Sequence, residues 1–147
     1  MPFKPITDDF LAAPQLTADE FAEAAEAGVR VVINNRPDGE EPGQIPTAEA
    51  AELAAKAGLA YHHIPVVSGQ LSIEAVDAFA EVIKDAEGPV LAYCRSGTRS
   101  TTLWALTAAL SGAHPPAVLI ERAGAAGYDL RPLAQILEDL AAKGAGR

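Results

Sequence analysis

Cysteine is almost missing from this chain: Cys94 is the only one among 147 residues. A lone thiol excludes an internal disulfide and any multi-thiolate metal site, and it fits a reducing cytoplasm. Histidine is scarce as well. His62 and His63 are neighbours on an expected strand and so point to opposite faces, and His114 precedes a proline pair in a loop. No metal site and no cofactor are expected from them. No apolar run is long enough to span a bilayer, and Met1 to Phe10 lack the charged-then-apolar pattern of a signal peptide. Cations are outnumbered, with 11 Lys and Arg against 20 Asp and Glu and a net charge of −9. That balance argues against nonspecific binding to nucleic acid or to an anionic membrane.

Hydrophobic residues make up 49% of the chain, enough for a packed core, and the length fits a single domain over residues 1–147. Thr17-Ala18-Asp19-Glu20 has the form of a capping box and predicts a helix to about Ala27, stopped by Gly28. "VRVVINN", 29–35, reads as a buried strand, followed by a Pro37-Asp38-Gly39 turn. Thr47 is the expected N-cap of an Ala-rich helix over 48–57. "LAYHHIPV", 59–66, reads as a strand. Ser72 caps a helix to about Ala86, with Ile73, Val76, Phe79, Ala80 and Ile83 on one stripe. "VLAYC", 90–94, is a third strand, followed by a helix over about 99–110 with Leu103 and Trp104 in the core. Two closing helices are expected over 116–126 and 130–142. Strands alternating with helices predict an α/β fold, a mainly parallel four- to five-stranded sheet with helices on both faces.

Cys94 falls where a strand gives way to a helix, the edge at which open α/β sheets bind ligands. The intervening loop, Arg95, Ser96, Gly97 and Thr98, contains a glycine that permits otherwise costly torsions. Such a loop can turn its amides inward as an anion nest, and the next helix adds its positive end. Amides, helix end and Arg99 all favour a thiolate, the nucleophilic form of cysteine. Arg99 can bind an oxyanion in fork geometry, and Ser100 is placed to bond the sulfur or cap the helix. Cys94 and Arg99 are therefore the expected catalytic pair. Asn35 and Arg36, at the end of another strand on the same edge, are candidate substrate contacts, as are Asp38 and Gln70.

"CRSGTRS" resembles two thiol-enzyme loops. Protein tyrosine and dual-specificity phosphatases carry His-Cys, five residues, then Arg. Rhodanese sulfurtransferases carry a tighter loop, and the four residues between Cys94 and Arg99 match that spacing. Yet "GVRVVINNRPDGEEPGQ", 28–44, and "GLAYHHIPVVSG", 58–69, resemble the dual-specificity phosphatase pattern. Together these segments are similar to one family, the beta-lactamase-hydrolase-like protein, phosphatase-like domain, from about Ile6 to Leu110. In some bacteria that domain is fused to a persulfide dioxygenase. The resemblance implies a phosphatase-like fold, Cys94 as nucleophile and Arg99 as anion binder, in members described both as phosphatases and as sulfurtransferases.

Three departures bear on the chemistry. The loop is one residue shorter than in phosphatases, Tyr93 replaces the usual His, and Val66-Val67-Ser68-Gly69-Gln70 lacks the Asp that protonates a leaving oxygen. Asp38 is the substitute acid the sequence offers. Sulfur transfer needs no such acid, since sulfite or a thiolate leaves as an anion. The preferred expectation is thus a rhodanese-like sulfurtransferase forming a Cys94 persulfide, with a small anionic sulfur donor, a thiol acceptor and a separate persulfide dioxygenase as partners. The alternative is a phosphatase acting through a Cys94 phosphocysteine on a phosphoester. A third reading is a non-catalytic anion-binding or sulfur-carrier module.

Overall fold

The computed structural model describes residues 3–145. Three short β-branched or aromatic-containing runs form parallel strands, β3 (Val31–Asn34), β4 (Ala60–His63) and β5 (Val90–Tyr93). Two further strands were not expected from the sequence: β1 (Lys4–Pro5) and β2 (Phe10–Ala13). Their runs are too short and too Ala- and Pro-rich to declare themselves, and β2 is a strand because it docks in parallel on β5. The sheet order is β1-β2-β5-β3-β4, with only β1 antiparallel.

Each strand alternates its side chains between two helical layers. Ile33 and Ala92 face a core with Phe10, Phe79, Leu103 and Trp104, under α3 (Ile73–Asp85), α4 (Thr98–Ser111), α5 (Pro116–Ala125) and α6 (Ala134–Ala145). Val32, Leu91 and Tyr93 face the other core, with Phe21, Ala24, Ala50 and Ala54 from α1 (Ala18–Glu26) and α2 (Thr47–Ala57). Phe10 stacks on Trp104 at 5.8 Å and meets Phe79 edge-on at 5.9 Å. The α/β architecture with a mainly parallel, five-stranded sheet is as expected.

Details differ from the sequence reading. The strands are shorter than expected, and β4 ends at His63, two residues before Pro65, which has no amide to extend the ladder. Thr47 is the first helical residue of α2 rather than its cap, and its amide donates to Asp38 Oδ1 at 2.9 Å. The last segment begins as a 3-10 turn, Arg131–Leu133, around Pro132 before α6. Ile73, placed on the apolar stripe of α3, is 69% exposed because it sits on the first turn, ahead of the buried Ala75, Val76 and Phe79. Among the described residues no helix is long and apolar enough to cross a membrane.

Candidate active site

Because β2 to β5 run parallel, their carboxyl ends meet at one edge of the sheet. That edge gathers Gln15 after β2, Asn35 and Arg36 after β3, Ile64 to Val66 after β4 and Cys94 after β5. The loop 95–98 closes tightly. Gly97 adopts φ +98°, and its amide donates to Cys94 Sγ at 3.1 Å. A side chain at Gly97 would collide with the Tyr128 hydroxyl, so the position demands glycine on two counts. The 14-residue helix α4 starts at Thr98 and aims its positive end at the same place. A sulfur that accepts an amide at the head of a helix is in a setting built for negative charge. Cys94 itself has no exposed surface.

Arg99, one residue into α4, is oriented by two partners. Its Nη1 donates to the Val66 carbonyl and to Glu40 Oε2, each at 2.7 Å, and its Nη2 donates to Glu40 Oε1 at 2.9 Å. A guanidinium carries five N–H donors. The Nη1–Nη2 edge is thus locked in a bidentate fork on Glu40, which leaves the Nε–H and the second Nη2–H for the neighbouring Cys94. Hydrogen bonding to Glu40 raises the Arg99 guanidinium above its ordinary value, with the neighbouring Cys94 charge adding to it. Glu40 is correspondingly pulled down to about 2, chiefly by Arg99 and then by Arg36.

Glu40 was missed in the sequence, where it reads as one acid in a polar turn. It is the hinge of a charge network. Arg36, expected to reach substrate, is instead fully buried, and its fork is consumed: Nε on Glu40 at 2.8 Å, Nη1 on Gln15 at 3.0 Å, Nη2 on Glu41 at 2.9 Å. His63 Nε2 lies 2.9 Å from the Arg36 carbonyl, which can only accept, so that nitrogen carries the proton. Arg36 therefore fixes the loop that presents Glu40 to Arg99.

Asn35 is likewise a strut and not a substrate contact. It is fully buried, donates to the Ile64 carbonyl at 2.9 Å and accepts from Ser100 Oγ at 2.8 Å. Ser100 spends its hydroxyl there, which corrects the expectation that it bonds the sulfur or caps the helix. Asp38, offered as the substitute acid, is occupied in capping α2. Gln70 is exposed in a turn closed by its own amide on the Val67 carbonyl, 2.9 Å away. Arg95 is 69% exposed and lies 3.8 Å from Glu41. Ser96 and Thr98 bond each other through their hydroxyls at 3.0 Å on the exposed side of the loop. Tyr93, in the place of the phosphatase His, is buried edge-on against Phe21 at 6.1 Å. Burial drives its phenol far above the usual range.

Tyr128 is the second residue that sequence reasoning missed. It lies beyond α5, far along the chain, yet its hydroxyl donates to the Ser96 carbonyl at 3.1 Å. The Ser96 carbonyl and the Gly97 amide belong to one peptide unit, so holding that carbonyl aims the Gly97 N–H at Cys94 Sγ. Burial, followed by the Cys94 charge, raises its phenol, so it stays a donor. No signal short of the tertiary fold marks it. Among the described residues no cluster of three metal-ligating side chains is present.

Relatives share this arrangement of chain. The family model described as beta-lactamase hydrolase-like protein, phosphatase-like domain matches residues 2–111. The beta-lactamase hydrolase-like protein of Xylella fastidiosa is 42% identical over 108 residues, 73% of this chain and 25% of that protein. That of Agrobacterium fabrum is 35% identical over 133 residues, 90% of this chain and 31% of that protein. The chain thus spans about a quarter to a third of the length of the curated relatives it matches. A candidate phosphatase from Neisseria meningitidis gives a TM-score of 0.83 at 35% identity, covering 95% of this chain and 99% of that one. The active form of Tk-PTP, at 19% identity, gives 0.74 with 97% of each chain covered, a likeness of fold alone. A thiol cradled at the head of α4, on a sheet of phosphatase type, is what the match over three quarters of the chain would require, and the chain belongs to the family of the beta-lactamase hydrolase-like protein, phosphatase-like domain.

Proposed function

We propose that the chain is a cysteine-dependent phosphatase domain acting on phosphate monoesters. The observation that carries this reading is the Gly97 amide on Cys94 Sγ, in a loop that leads directly to Arg99, whose guanidinium interacts with the same sulfur. Cys94 Sγ attacks phosphorus, the P–O ester bond breaks, and the alcohol oxygen departs with the electron pair. Loop amides and the Nε–Nη2 edge of Arg99 hold the equatorial oxygens as charge shifts to the leaving group. Water then attacks phosphorus, the S–P bond breaks, phosphate leaves with its proton passed to solvent, and the thiolate returns. Since Cys94 has no exposed surface, the anion reaches it only after a local rearrangement of the site.

The relatives' phosphatase-like fold supports phosphoryl transfer over the sulfur transfer that loop spacing favours. Sulfur transfer remains the second reading on one specific observation. The carboxylate nearest Arg99, Glu40, is ionised and bound by two arginines, so it cannot protonate a leaving oxygen. The test is intact mass spectrometry of the wild type and Cys94→Ser after exposure to an aryl phosphate and to thiosulfate, with aryl phosphate turnover followed in parallel. A trapped phosphoryl adduct and turnover, both lost in Cys94→Ser, are expected. A single-sulfur adduct without phosphoryl turnover would overturn the reading in favour of sulfur transfer.

A further inference from the structure

Three of the four large apolar side chains exposed among the described residues fall within seven consecutive positions: Val67 at 50%, Leu71 at 38% and Ile73 at 69%. Exposed apolar residues scattered singly are ordinary surface, but a run of them marks a contact. The same stretch, "IPVVSGQLSI" at 64–73, has no charged residue in a chain that is 21% charged.

Its position is fixed from both ends. The Val66 amide donates to the Asn35 carbonyl at 3.0 Å, and the Val66 carbonyl accepts Arg99 Nη1 at 2.7 Å. Val67 is therefore the next residue along from a group touching the anion-binding arginine. The Gln70 amide closes a turn on the Val67 carbonyl, so the chain folds back between Val67 and Leu71. Ser72 Oγ accepts the Ala75 amide at 3.2 Å and anchors the end, with Ile73 on the first turn of α3. Arg99 thus bonds two unlike segments. One is charged, at Glu40; the other, reached through the Val66 carbonyl, leads straight into the uncharged apolar stretch.

We propose that Val67, Leu71 and Ile73 seat an uncharged, apolar body, aryl or alkyl, on the substrate whose anion lies at Cys94 and Arg99. The inference rests on the anion-site reading above and adds the substrate class. A charged phosphopeptide fits this stretch poorly, because its flanking charges would lose water against apolar side chains without gaining partners.

The test uses equilibrium binding to Cys94→Ser of two anions with the same head, methylphosphonate and naphthylmethylphosphonate. Apolar burial of this extent predicts that the naphthyl compound binds roughly 10–50-fold tighter. Adding Leu71→Ser and Ile73→Ser, both exposed, should bring that ratio close to one with an unchanged melting temperature. The ratio surviving in the substituted protein, or being absent in the parent, would overturn the seat while leaving the anion site intact. Tighter binding of a phosphotyrosine peptide with acidic flanks would overturn it too. If neither phosphonate binds, the anion-site reading falls and the seat falls with it.

Discussion

At the scale of single residues, the proposed reaction divides the site into groups that would face the anion and groups that aim them. Arg99 belongs to the first. A lysine there keeps the charge but cannot hold Glu40 with one edge while presenting another, so Arg99→Lys should lower kcat/KM for an aryl phosphate about 10²-fold or more. Glu40 belongs to the second. Its carboxyl is depressed in the folded chain, so its stabilising contribution is complete above its ordinary value of 4.5 and is lost as pH falls from there toward about 2. Chemical denaturation at pH 6 and at pH 3 should show the wild type losing stability between the two, and Glu40→Gln losing less. The substitution should also reduce kcat, because the guanidinium is no longer clamped; an unaltered pH dependence of stability would remove Glu40 from this role. Cys94 and Arg99 were legible because loop, thiol and arginine lie in one contiguous motif. Glu40 was not, since an acid in "PDGEE" is indistinguishable from solvated surface until the fold brings Arg36 and Arg99 to it.

At the scale of elements, the 95–98 loop is shaped by what packs on it from outside its own sequence. Tyr128 holds the Ser96 carbonyl, and its ring fills the space above Gly97. Tyr128→Phe keeps the ring and removes the hydrogen bond. It should cost about 1 kcal/mol of stability and weaken vanadate or phosphate binding, with the Cys94 nucleophile untouched. Isothermal titration checks it, and full-strength anion binding would show that the carbonyl needs no anchor. Gly97→Ala must be worse, because it adds a left-handed strain to a steric clash. The strands that the sequence revealed, β3, β4 and β5, each follow a glycine that ends a helix; β3 and β5 are buried throughout, while β4 is a half-exposed strand at the sheet edge. β1 and β2 carry no such mark and take their form from pairing. The positions of Asn35 and Ser100 were legible as belonging to one edge, but not their mutual bond, which depends on how α4 lies against the loop after β3.

At the scale of the whole molecule, the family match ends at residue 111, yet the site does not. α4 is buried nearly all round, from Ser100 through Ala109, and packs against α3, α5 and α6. A helix apolar on every side has no face to give to water. The segment beyond residue 111 supplies Leu119, Ala123, Leu130 and Leu137 to its core, and Gly144 of α6 comes so close to the Leu110 carbonyl that a side chain there would collide. Burying three such leucines contributes about 1.5–3 kcal/mol each, against a net stability of about 5–15 kcal/mol for a typical domain. Truncation after Gly112 should therefore abolish cooperative unfolding seen by circular dichroism and expose dye-binding apolar surface. It also deletes Tyr128, so any residual folded fraction should lack tight anion binding. A truncated chain that melts cooperatively and binds vanadate as the full chain does would mean that the matched segment alone builds the site. The sequence announced two closing helices here; that they complete the loop around Cys94 depends on a single hydrogen bond made across the tertiary fold.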